Sequence, residues 1–404
     1  MEIRSITVFS DLEQLPADSS SFIEEARRQF HVPVQSIRIA TSPFPDWWNK
    51  AQYAATQVKE IDTRCRDLGF DYLSLGAVQL RHDTSWLDLV PEIVANSDST
   101  FVSAEVADRE GSIDLGRCHA VAEVIKRIST LQADGFMNLY FAALANCPPG
   151  VPFFPVAYHD GGLPCFSIAV EAADLILAAI EKADTLKEAR QNLISVIETE
   201  ASIIAVVAEE LSASFKLLFS GIDFTPAPFP GHNTSAAAAV ESLGVPRFGA
   251  PGTLFGSAFI ADAIDGADYP SCGFSGYMLT VLEDSVLAER VGEGSLSISE
   301  LLGSAAVCGI GLDTVPLPGD IHRQTLAGIL ADVAALAVRL DKPLTARLLP
   351  IPGLQAGDPV HFDFDYFADG SVLDPIDEGL RAKLTDLTRL QFNPIRPIRR
   401  MRSK

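Results

Sequence analysis

The stretch Glu2-Ile3-Arg4-Ser5-Ile6-Thr7-Val8-Phe9 has the β-branched content of a strand, and a helical pattern over residues 19–30 follows it. The same order recurs with a strand over residues 36–41, a helix over residues 47–68 and a strand over residues 72–78. Short apolar strands that alternate with helices are typical of sheets buried on both faces. We therefore predict an α/β fold.

The later part of the chain continues this pattern. It predicts strands over residues 101–106, 166–170, 307–315 and 345–349, and helices over residues 115–131, 182–215 and 325–340. Residues 223–231, with prolines at three of five successive positions, are predicted to be a loop, and residues 316–320 are predicted to end a strand. We expect one large α/β domain over residues 1–375 and a C-terminal extension over residues 376–404.

The charge balance excludes several classes of partner. The chain has 404 residues, with 31 basic and 53 acidic side chains and a net charge of −22. Nucleic acids and anionic membranes both require clustered basic side chains, so neither is an expected partner. No run of 18 apolar residues is present, and the first residues lack the pattern of a signal peptide. We expect a cytoplasmic location.

The last 16 residues differ from the acidic body because they carry six basic side chains and no acidic one. These are Arg389, Arg396, Arg399, Arg400, Arg402 and Lys404. A basic tail is attracted to an acidic surface, so we expect it to pack on the body or on a neighbouring subunit. A homo-oligomer, in its simplest form a dimer, is the corresponding expectation.

Several familiar catalytic motifs are absent from the sequence. It contains no phosphate-binding G-x-x-x-x-G-K-[ST] motif, and Val315-Pro316 breaks the helix that should follow Gly309-Ile310-Gly311 in a dinucleotide fingerprint. ATP and NAD are therefore not expected cofactors. A G-x-S-x-G nucleophile motif is also missing.

The segment Tyr158-His159-Asp160-Gly161-Gly162 is the first candidate for chemistry. Histidine suits proton transfer because its ordinary pKa lies near neutrality, and Asp160 beside it is a candidate substrate contact. The alternative is a turn in which His159 bonds to a backbone carbonyl.

Four aspartates lie near predicted strand ends, namely Asp223, Asp284, Asp313 and Asp320. Together such carboxylates could polarise a substrate or hold Mg²⁺ or Ca²⁺, with Asp313 and Asp320 as the candidate metal ligands. Taken singly, each also suits a turn or a helix cap, and Asp320 has the position of an N-cap.

Arg347 and Ser275 are further candidates for substrate binding. Arg347 lies inside a predicted strand, where an unpaired guanidinium is costly, so it must meet either an aspartate or an anionic group of a ligand. Ser275 belongs to a Gly/Ser-rich loop over residues 271–277, which could bind a ligand or could simply allow close packing.

Several blocks occur in an order that resembles a known family, the domain-of-unknown-function family 711, also called uncharacterised protein family 0210. They span residues 112–114, 158–161, 223–228, 283–284, 311–320 and 346–353. The most specific are Gly311-Leu312-Asp313 with Pro318-Gly319-Asp320, and Arg347 to Gly353 with its R-x-x-P-x-P-G spacing. The likeness extends over residues 3–363. Asp160, inserted in the family's His-Gly block, and residues 42–48 depart from its usual pattern.

The resemblance implies a fold like that of pyruvate formate-lyase and the anaerobic ribonucleotide reductases, which is a barrel of two half-sheets surrounded by helices. It does not imply a glycyl radical, because the R-V-x-G-Y loop is missing and the nearest string, Arg290 to Gly294, lacks the tyrosine. Pairing of family members with small amino-acid-sensing proteins implies a link to amino-acid metabolism. The family supplies no agreed catalytic residues.

These observations lead to one functional hypothesis and one alternative. The hypothesis is a non-redox lyase, isomerase or hydrolase that acts on a small polar, carboxylate-bearing metabolite in one enclosed pocket. Its catalytic residues would be His159, Asp223, Asp284 and Asp313, and its substrate-binding residues would be Arg347, Asp160, Ser275 and Asp320. The alternative is a metabolite-binding or regulatory oligomer without turnover.

Overall fold

The structure, a computed structural model, describes residues 1–16 and 18–395. Its strands are β1 (Glu2–Phe9), β2 (Ile37–Ala40), β3 (Tyr72–Val78), β4 (Thr100–Ala107), β5 (Ser112–Asp114), β6 (Phe141–Ala145), β7 (Cys165–Glu171), β8 (Leu218–Ala227), β9 (Gly311–Pro318), β10 (Leu344–Ile351), β11 (Pro359–Val360), β12 (Gly370–Ser371) and β13 (Arg389–Gln391). Its helices are α1 (Ser19–Gln29), α2 (Ala54–Asp67), α3 (Val90–Ala95), α4 (Leu115–Ser129), α5 (Ala173–Glu181), α6 (Leu186–Phe215), α7 (Ala236–Ser242), α8 (Thr253–Asp265), α9 (Ser285–Gly292), α10 (Ile298–Ala305) and α11 (Arg323–Leu340). The predicted α/β class is confirmed.

One large sheet dominates the fold, with the strand order β8-β7-β1-β2-β3-β4-β6-β10-β9. Its central block, β1-β2-β3-β4-β6, is parallel. The outer pairs β7-β8 and β10-β9 are each parallel internally but run antiparallel to the central block. The amino ends of the central strands therefore lie at the same edge of the sheet as the carboxyl ends of the outer strands.

The regular strand ladder is open in the described part of the chain, because β8 and β9 are not paired with each other. The segment over residues 271–282 lies between these two edges. It forms one bridge from Ser271 to Ile222 of β8 and another from Thr280 to Asp313 of β9. The sheet is thus a mostly parallel ladder whose two edges are connected by an irregular segment.

Two proline-containing segments are strands, contrary to the sequence prediction of a loop at residues 223–227 and of a strand end at Pro316. Pro226 lies in β8, and Pro316 and Pro318 lie in β9. These two strands are the edges of the ladder, where a residue without an N–H leaves no partner strand unsatisfied.

Two predicted helices begin later than their periodicity suggests. The helix predicted from residue 47 begins at Ala54, because Trp48 instead packs edge-on against Phe44 with ring centroids 5.5 Å apart. The helix predicted from residue 182 begins at Leu186, where the Thr185 side chain accepts a hydrogen bond from the Glu188 N–H and caps the helix.

Helices pack on the sheet and complete the core. Helices α4 and α11 pack on each other and on β4, β6 and β10, and α6 packs on β8. By length and composition alone α6 could span a membrane. However, its residues Leu193, Ile197, Ile204 and Leu211 form a buried stripe at helical spacing, as in a helix packed on the core of a globular protein.

The described part of the C-terminal extension packs on the body. Strand β13 pairs with β5, and the Arg389 guanidinium lies 2.6 Å from a carboxylate oxygen of Asp108. The Ile395 N–H donates to the Arg339 carbonyl at 2.7 Å, which holds the chain after β13 against α11. The other basic residues of the tail, Arg396, Arg399, Arg400, Arg402 and Lys404, lie outside the described residues.

The contact between Gly276 and Gly309 yields a stability prediction. A Cβ added at Gly276 would lie 2.8 Å from the Gly309 Cα, so Gly276→Ala should lower the free energy of unfolding by about 1–3 kcal/mol. The control is Gly303→Ala in α10, where a Cβ meets no heavy atom within 4 Å and should raise stability by roughly 0.5–1 kcal/mol. Urea denaturation measures both changes, and equal effects would contradict the close packing of residues 271–282.

Candidate functional site

A central cavity of about 140 Å³ lies at the amino ends of the parallel strands. Strands β1 to β4 contribute to its wall, together with the carboxyl ends of β7 and β8 and the middle of β10. Five charged side chains line it, namely Arg4, Arg38, Arg347, Asp223 and Glu283. This cavity is the candidate functional site.

Arg347 is held by two carboxylates. Its Nε and Nη2 donate to the two oxygens of Asp313 at 2.6 and 2.8 Å, and Nη2 also donates to Glu283 at 3.3 Å. A register shift between β10 and β9 places both Asp313 and Thr314 opposite Arg347. Thr314 has a φ of 44°, an unusual conformation for a β-branched residue, and this bulge brings the Asp313 carboxylate to Arg347.

Arg4 forms the second charged contact of the cavity. It is the extra residue in a bulge of β1, and it donates to Glu171 at 2.9 Å and to Glu283 at 2.5 Å. Glu283 therefore lies between two guanidinium groups. Burial raises the pKa of Glu283, although the charges of Arg4 and Arg347 oppose that rise.

Arg38 has a different environment. Its Nε donates to the Ser36 hydroxyl at 2.8 Å, and its guanidinium lies 5.6 Å from the Tyr72 ring centroid and 5.1 Å from that of Phe154. Among the described residues, no carboxylate forms an ion pair with it. Burial, together with the positive charge of Arg4, lowers the pKa of Arg38 to about 10. The cavity thus contains a guanidinium without an anionic partner from the described chain.

Asp223 and Ser275 organise a turn at the cavity wall. Asp223 accepts hydrogen bonds from the N–H groups of Phe274 and Ser275, both at 2.9 Å, and from the Thr225 hydroxyl at 2.5 Å. The Ser275 hydroxyl donates to the Cys272 carbonyl at 2.8 Å. Burial raises the pKa of Asp223, and these donors counteract it. Both side chains are engaged by the protein, although Asp223 also lines the cavity.

His159 and Asp160 line a different cavity, a groove of about 700 Å³ at the carboxyl ends of β1 to β4. His159 is 2% exposed, and its Nε2 has no hydrogen-bond partner among the residues that the structure describes. Its Nδ1 lies 3.8 Å from the exposed Asp160 carboxylate. Glu105 lies in the same groove, and burial raises its pKa to about 7. The sequence prediction that His159 and Arg347 share one pocket is therefore wrong.

The two remaining aspartates lie away from the cavity. Asp284 is fully buried, where it caps α9 through the N–H groups of Val286 and Leu287 and accepts from the Ser235 hydroxyl. Asp320 is exposed and accepts from the Gln355 side chain at 3.1 Å. It therefore does not cap α11, which begins at Arg323.

Asp313 and Asp320 do not lie close enough to share a metal ion. Asp313 lies five residues before the end of β9, about 16 Å of extended strand, and Asp320 lies exposed in the turn that follows. Within the described residues, no group of three or more His, Cys, Asp or Glu side chains has the arrangement of a metal site.

Sequence reasoning identified Arg347, Asp313 and Asp223 but missed Arg4, Arg38 and Glu283. Arg4 and Arg38 both lie in strands that were predicted correctly, so the rule applied to Arg347, a charge inside a β-run, would have selected them as well. Glu283 was passed over in favour of its neighbour Asp284, because the sequence does not show which of two adjacent acids caps the helix.

Removing Arg347 should destabilise the protein in a pH-dependent manner. Arg347→Met leaves two buried carboxylates without this partner and should cost about 3–5 kcal/mol of unfolding free energy. It also removes a cation that opposes the raised pKa of Glu283. In the variant, the pKa of Glu283 should therefore lie further above its value in the unfolded chain, which favours folding at low pH. The loss of unfolding free energy relative to wild type should be larger at pH 8 than at pH 5.

Urea denaturation at both pH values measures this loss. The control is Arg127→Met, which removes an exposed arginine 3.5 Å from Asp88 and should cost less than about 1 kcal/mol. A similar loss in the two variants would contradict the buried charge cluster.

The raised pKa of Glu105 predicts a second effect of pH on the stability of the protein. Because its folded-state pKa is raised to about 7, its contribution to stability is fully present below the ordinary glutamate pKa and is lost as the pH rises through about 7. Glu105→Gln should abolish that loss, so the stability difference between wild type and variant should change by about 2 kcal/mol from pH 5 to pH 8. If chemical denaturation gives the same stability difference between wild type and Glu105→Gln at pH 5 and at pH 8, the prediction is wrong.

The sequence also matches known proteins over most of its length. The family described as "Uncharacterised ACR (DUF711)" matches residues 1–368. A UPF0210 protein of Pyrobaculum aerophilum is 40% identical over 353 residues, which cover 83% of this chain and 78% of the relative. Another, from Pyrobaculum islandicum, is 32% identical over 352 residues with the same coverage. A UPF0210 protein of Clostridium beijerinckii is 27% identical over 371 residues, 87% of this chain and 82% of the relative.

The family match covers well over half of the chain, and two of these relatives exceed 30% identity across more than three quarters of both sequences. The resemblance inferred from the sequence blocks is thereby confirmed. The chain belongs to the DUF711 family, whose curated relatives carry the name UPF0210 protein.

Proposed function

We propose that the protein binds a small carboxylate-bearing metabolite in the central cavity and transforms it by acid–base chemistry, as a non-redox lyase, isomerase or hydrolase. The observation that carries this proposal is the Arg38 guanidinium, which lines the cavity and forms no ion pair with a described residue. Arg38 is half-buried, so its guanidinium has lost part of its hydration without gaining a carboxylate partner from the described chain, and a ligand carboxylate would offset that cost.

The distribution of charge supports Arg38 as the anion-binding group. Glu171, Glu283 and Asp313 all contact Arg4 or Arg347, so those two guanidiniums are already neutralised by the protein. Arg38 instead contacts a serine hydroxyl and two aromatic rings. Arg38 is therefore the guanidinium at the cavity wall that can pair with the anionic group of a ligand.

The size and charge of the cavity favour a carboxylate over a phosphate. One available guanidinium matches a single negative charge, whereas a phosphate dianion would also meet the Glu283 and Asp223 carboxylates that line the wall. A volume of about 140 Å³ accommodates a small metabolite and is too small for a nucleotide. This supports a mechanism without ATP or NAD.

Glu283 is the proton-transfer group in this proposal. It lines the cavity, is 2% exposed, and has a raised pKa because of burial, which allows the same carboxyl to donate and accept a proton. His159, the residue chosen from the sequence, is not part of this mechanism because it lines the other cavity. A divalent ion bound by Asp313 and Asp320 is not part of it either.

We further propose that residues 271–282 complete a barrel around the cavity, as the likeness to pyruvate formate-lyase implies. The support is their single bridge to each edge strand and the reversal of strand direction between the central block and the outer pairs. The cytoplasmic location, the homo-oligomeric state and the exclusion of nucleic-acid and membrane partners stay predictions from the sequence.

A regulatory or binding protein without turnover is the second candidate, with the same cavity as its sensor site and the same link to amino-acid metabolism that the resemblance implies. The observation that favours it is the engagement of each acidic side chain at the cavity wall by arginines or by backbone N–H groups. It predicts saturable binding of a carboxylate and no product.

Calorimetric titration with a panel of small mono- and dicarboxylates tests the binding step. Arg38→Gln should weaken each carboxylate that binds by at least about tenfold, since an ion pair is lost. The control is Arg127→Gln on the surface of α4, which should leave affinity unchanged. An equal affinity in wild type and Arg38→Gln would contradict the assignment of Arg38.

Glu283→Gln separates the enzyme from the sensor. The amide keeps one carbonyl oxygen, which can accept from one of the two arginines, and it cannot exchange a proton. Turnover followed by NMR should therefore fall by about 10²–10⁴-fold, while Arg38 remains in place to bind the carboxylate. Turnover that survives this substitution would exclude Glu283 as the acid–base group. Binding without any product in the wild type would favour the sensor.

A further inference from the structure

The aromatic residues of the cavity wall indicate what kind of uncharged group the ligand has, which the charged residues do not. Of the 24 residues that line the cavity, eight are aromatic. Phe101 is at the centre of one group, with ring centroids 4.9 Å from Tyr140, 5.3 Å from Phe154 and 5.7 Å from Tyr72. Because Tyr72 and Phe154 also flank the Arg38 guanidinium, this aromatic surface borders the proposed anion-binding group directly.

A second aromatic surface comes from another part of the chain. Phe153 and Phe274 lie 5.7 Å apart between their ring centroids, and the Phe153 ring lies 5.6 Å from the Arg347 guanidinium. The Phe274 N–H donates to the Asp223 carboxylate at 2.9 Å, so the backbone that carries the Phe274 ring is held in place. The cavity wall thus contains two groups of rings, one centred on Phe101 and one formed by Phe153 and Phe274.

The volume of the cavity limits the size of the hydrocarbon part of a ligand that these rings can enclose. An apolar cavity of roughly 150 Å³ is known to hold one benzene molecule, and the central cavity measures about 140 Å³. A single ring, or a branched hydrocarbon of equal size, fills that space. A hydroxyl or carboxylate group placed against Phe101 or Phe153 would face an aromatic ring instead of a hydrogen-bond partner.

We propose that the ligand of the central cavity is a monocarboxylate whose body is one ring or a branched hydrocarbon of similar size. Its carboxylate pairs with Arg38, and its body packs against Phe101 and Phe153. This inference rests on the proposed function to the extent that Arg38 holds the anion, and it adds the substrate class.

Calorimetry with four probes tests the proposal: benzoate, cyclohexanecarboxylate, succinate and inorganic phosphate. Benzoate and cyclohexanecarboxylate should bind at least about tenfold more tightly than succinate and phosphate, because only their bodies match the aromatic wall. Arg38→Gln should weaken benzoate by at least about tenfold.

Ala169→Leu tests the site of the hydrocarbon body. Ala169 lines the cavity on β7, where its register partners Ser5 and Asp223 also line it, so a larger side chain there fills the space meant for the ring. Benzoate affinity should fall at least about tenfold in this variant, and Ala51→Leu on the exposed surface should change nothing. Circular dichroism checks that the variants fold; if Ala169→Leu does not, Phe153→Leu takes its place with the same expected direction.

The outcomes separate this inference from the proposed function. Binding of succinate or phosphate through Arg38, with no binding of benzoate or cyclohexanecarboxylate, overturns the substrate class and leaves the anion site standing. Failure of all four probes to bind overturns both proposals. Benzoate binding that neither Arg38→Gln nor the cavity variant weakens also overturns both, because the ligand then lies elsewhere.

Discussion

The site depends on one buried carboxylate, Glu283, which is shared by Arg4 and Arg347. These arginines lie on β1 and β10, strands from opposite ends of the chain, and Glu283 immediately follows the segment that bridges the two edges of the sheet. A buried ion pair adds little net stability compared with apolar packing, yet breaking one side of it is costly. The shared carboxylate therefore acts mainly as a geometric constraint. It fixes two guanidiniums in the wall, whereas Arg38 forms no ion pair with a described carboxylate.

This constraint requires irregular strands. In a regular strand, alternate side chains point to opposite faces, so every second residue faces the cavity. Arg4 is the extra residue of a bulge in β1, and the bulge in β9 puts Asp313 opposite Arg347 at the expense of a left-handed Thr314. The Thr314 hydroxyl contacts Thr280 and accepts from the Leu282 N–H, which ties the bulge to the segment carrying Glu283. The strained backbone is thus stabilised by the contacts that assemble the charged cluster.

Much of the fold follows from the sequence, and the grouping of the site does not. Strands such as β1 and β3 match their predicted bounds, because period-two alternation and β-branched content survive in an isolated segment. Arg347 was identifiable as a charge that needs a partner. His159 was grouped with it wrongly, because the grouping depends on strand direction. The outer strand pairs are antiparallel to the central block, so the loop with His159 and the carboxyl ends of β7 and β8 lie at opposite edges of the sheet. The residue pattern of a single segment does not show this reversal of strand direction.

The loop between β6 and β7 forms part of the wall of both cavities. Phe153 and Phe154 line the central cavity, whereas Tyr158 and His159 line the groove at the other edge. The His159 N–H donates to the Thr41 carbonyl at 3.0 Å, which holds the loop against the end of β2, the strand that carries Arg38. Because the His159 side chain is buried, a substitution there can shift this loop and alter the Arg38 environment through Phe154, without any role for the imidazole in chemistry. Only an effect on turnover with unchanged carboxylate affinity would give His159 a part in the reaction, because a shifted loop moves both quantities together.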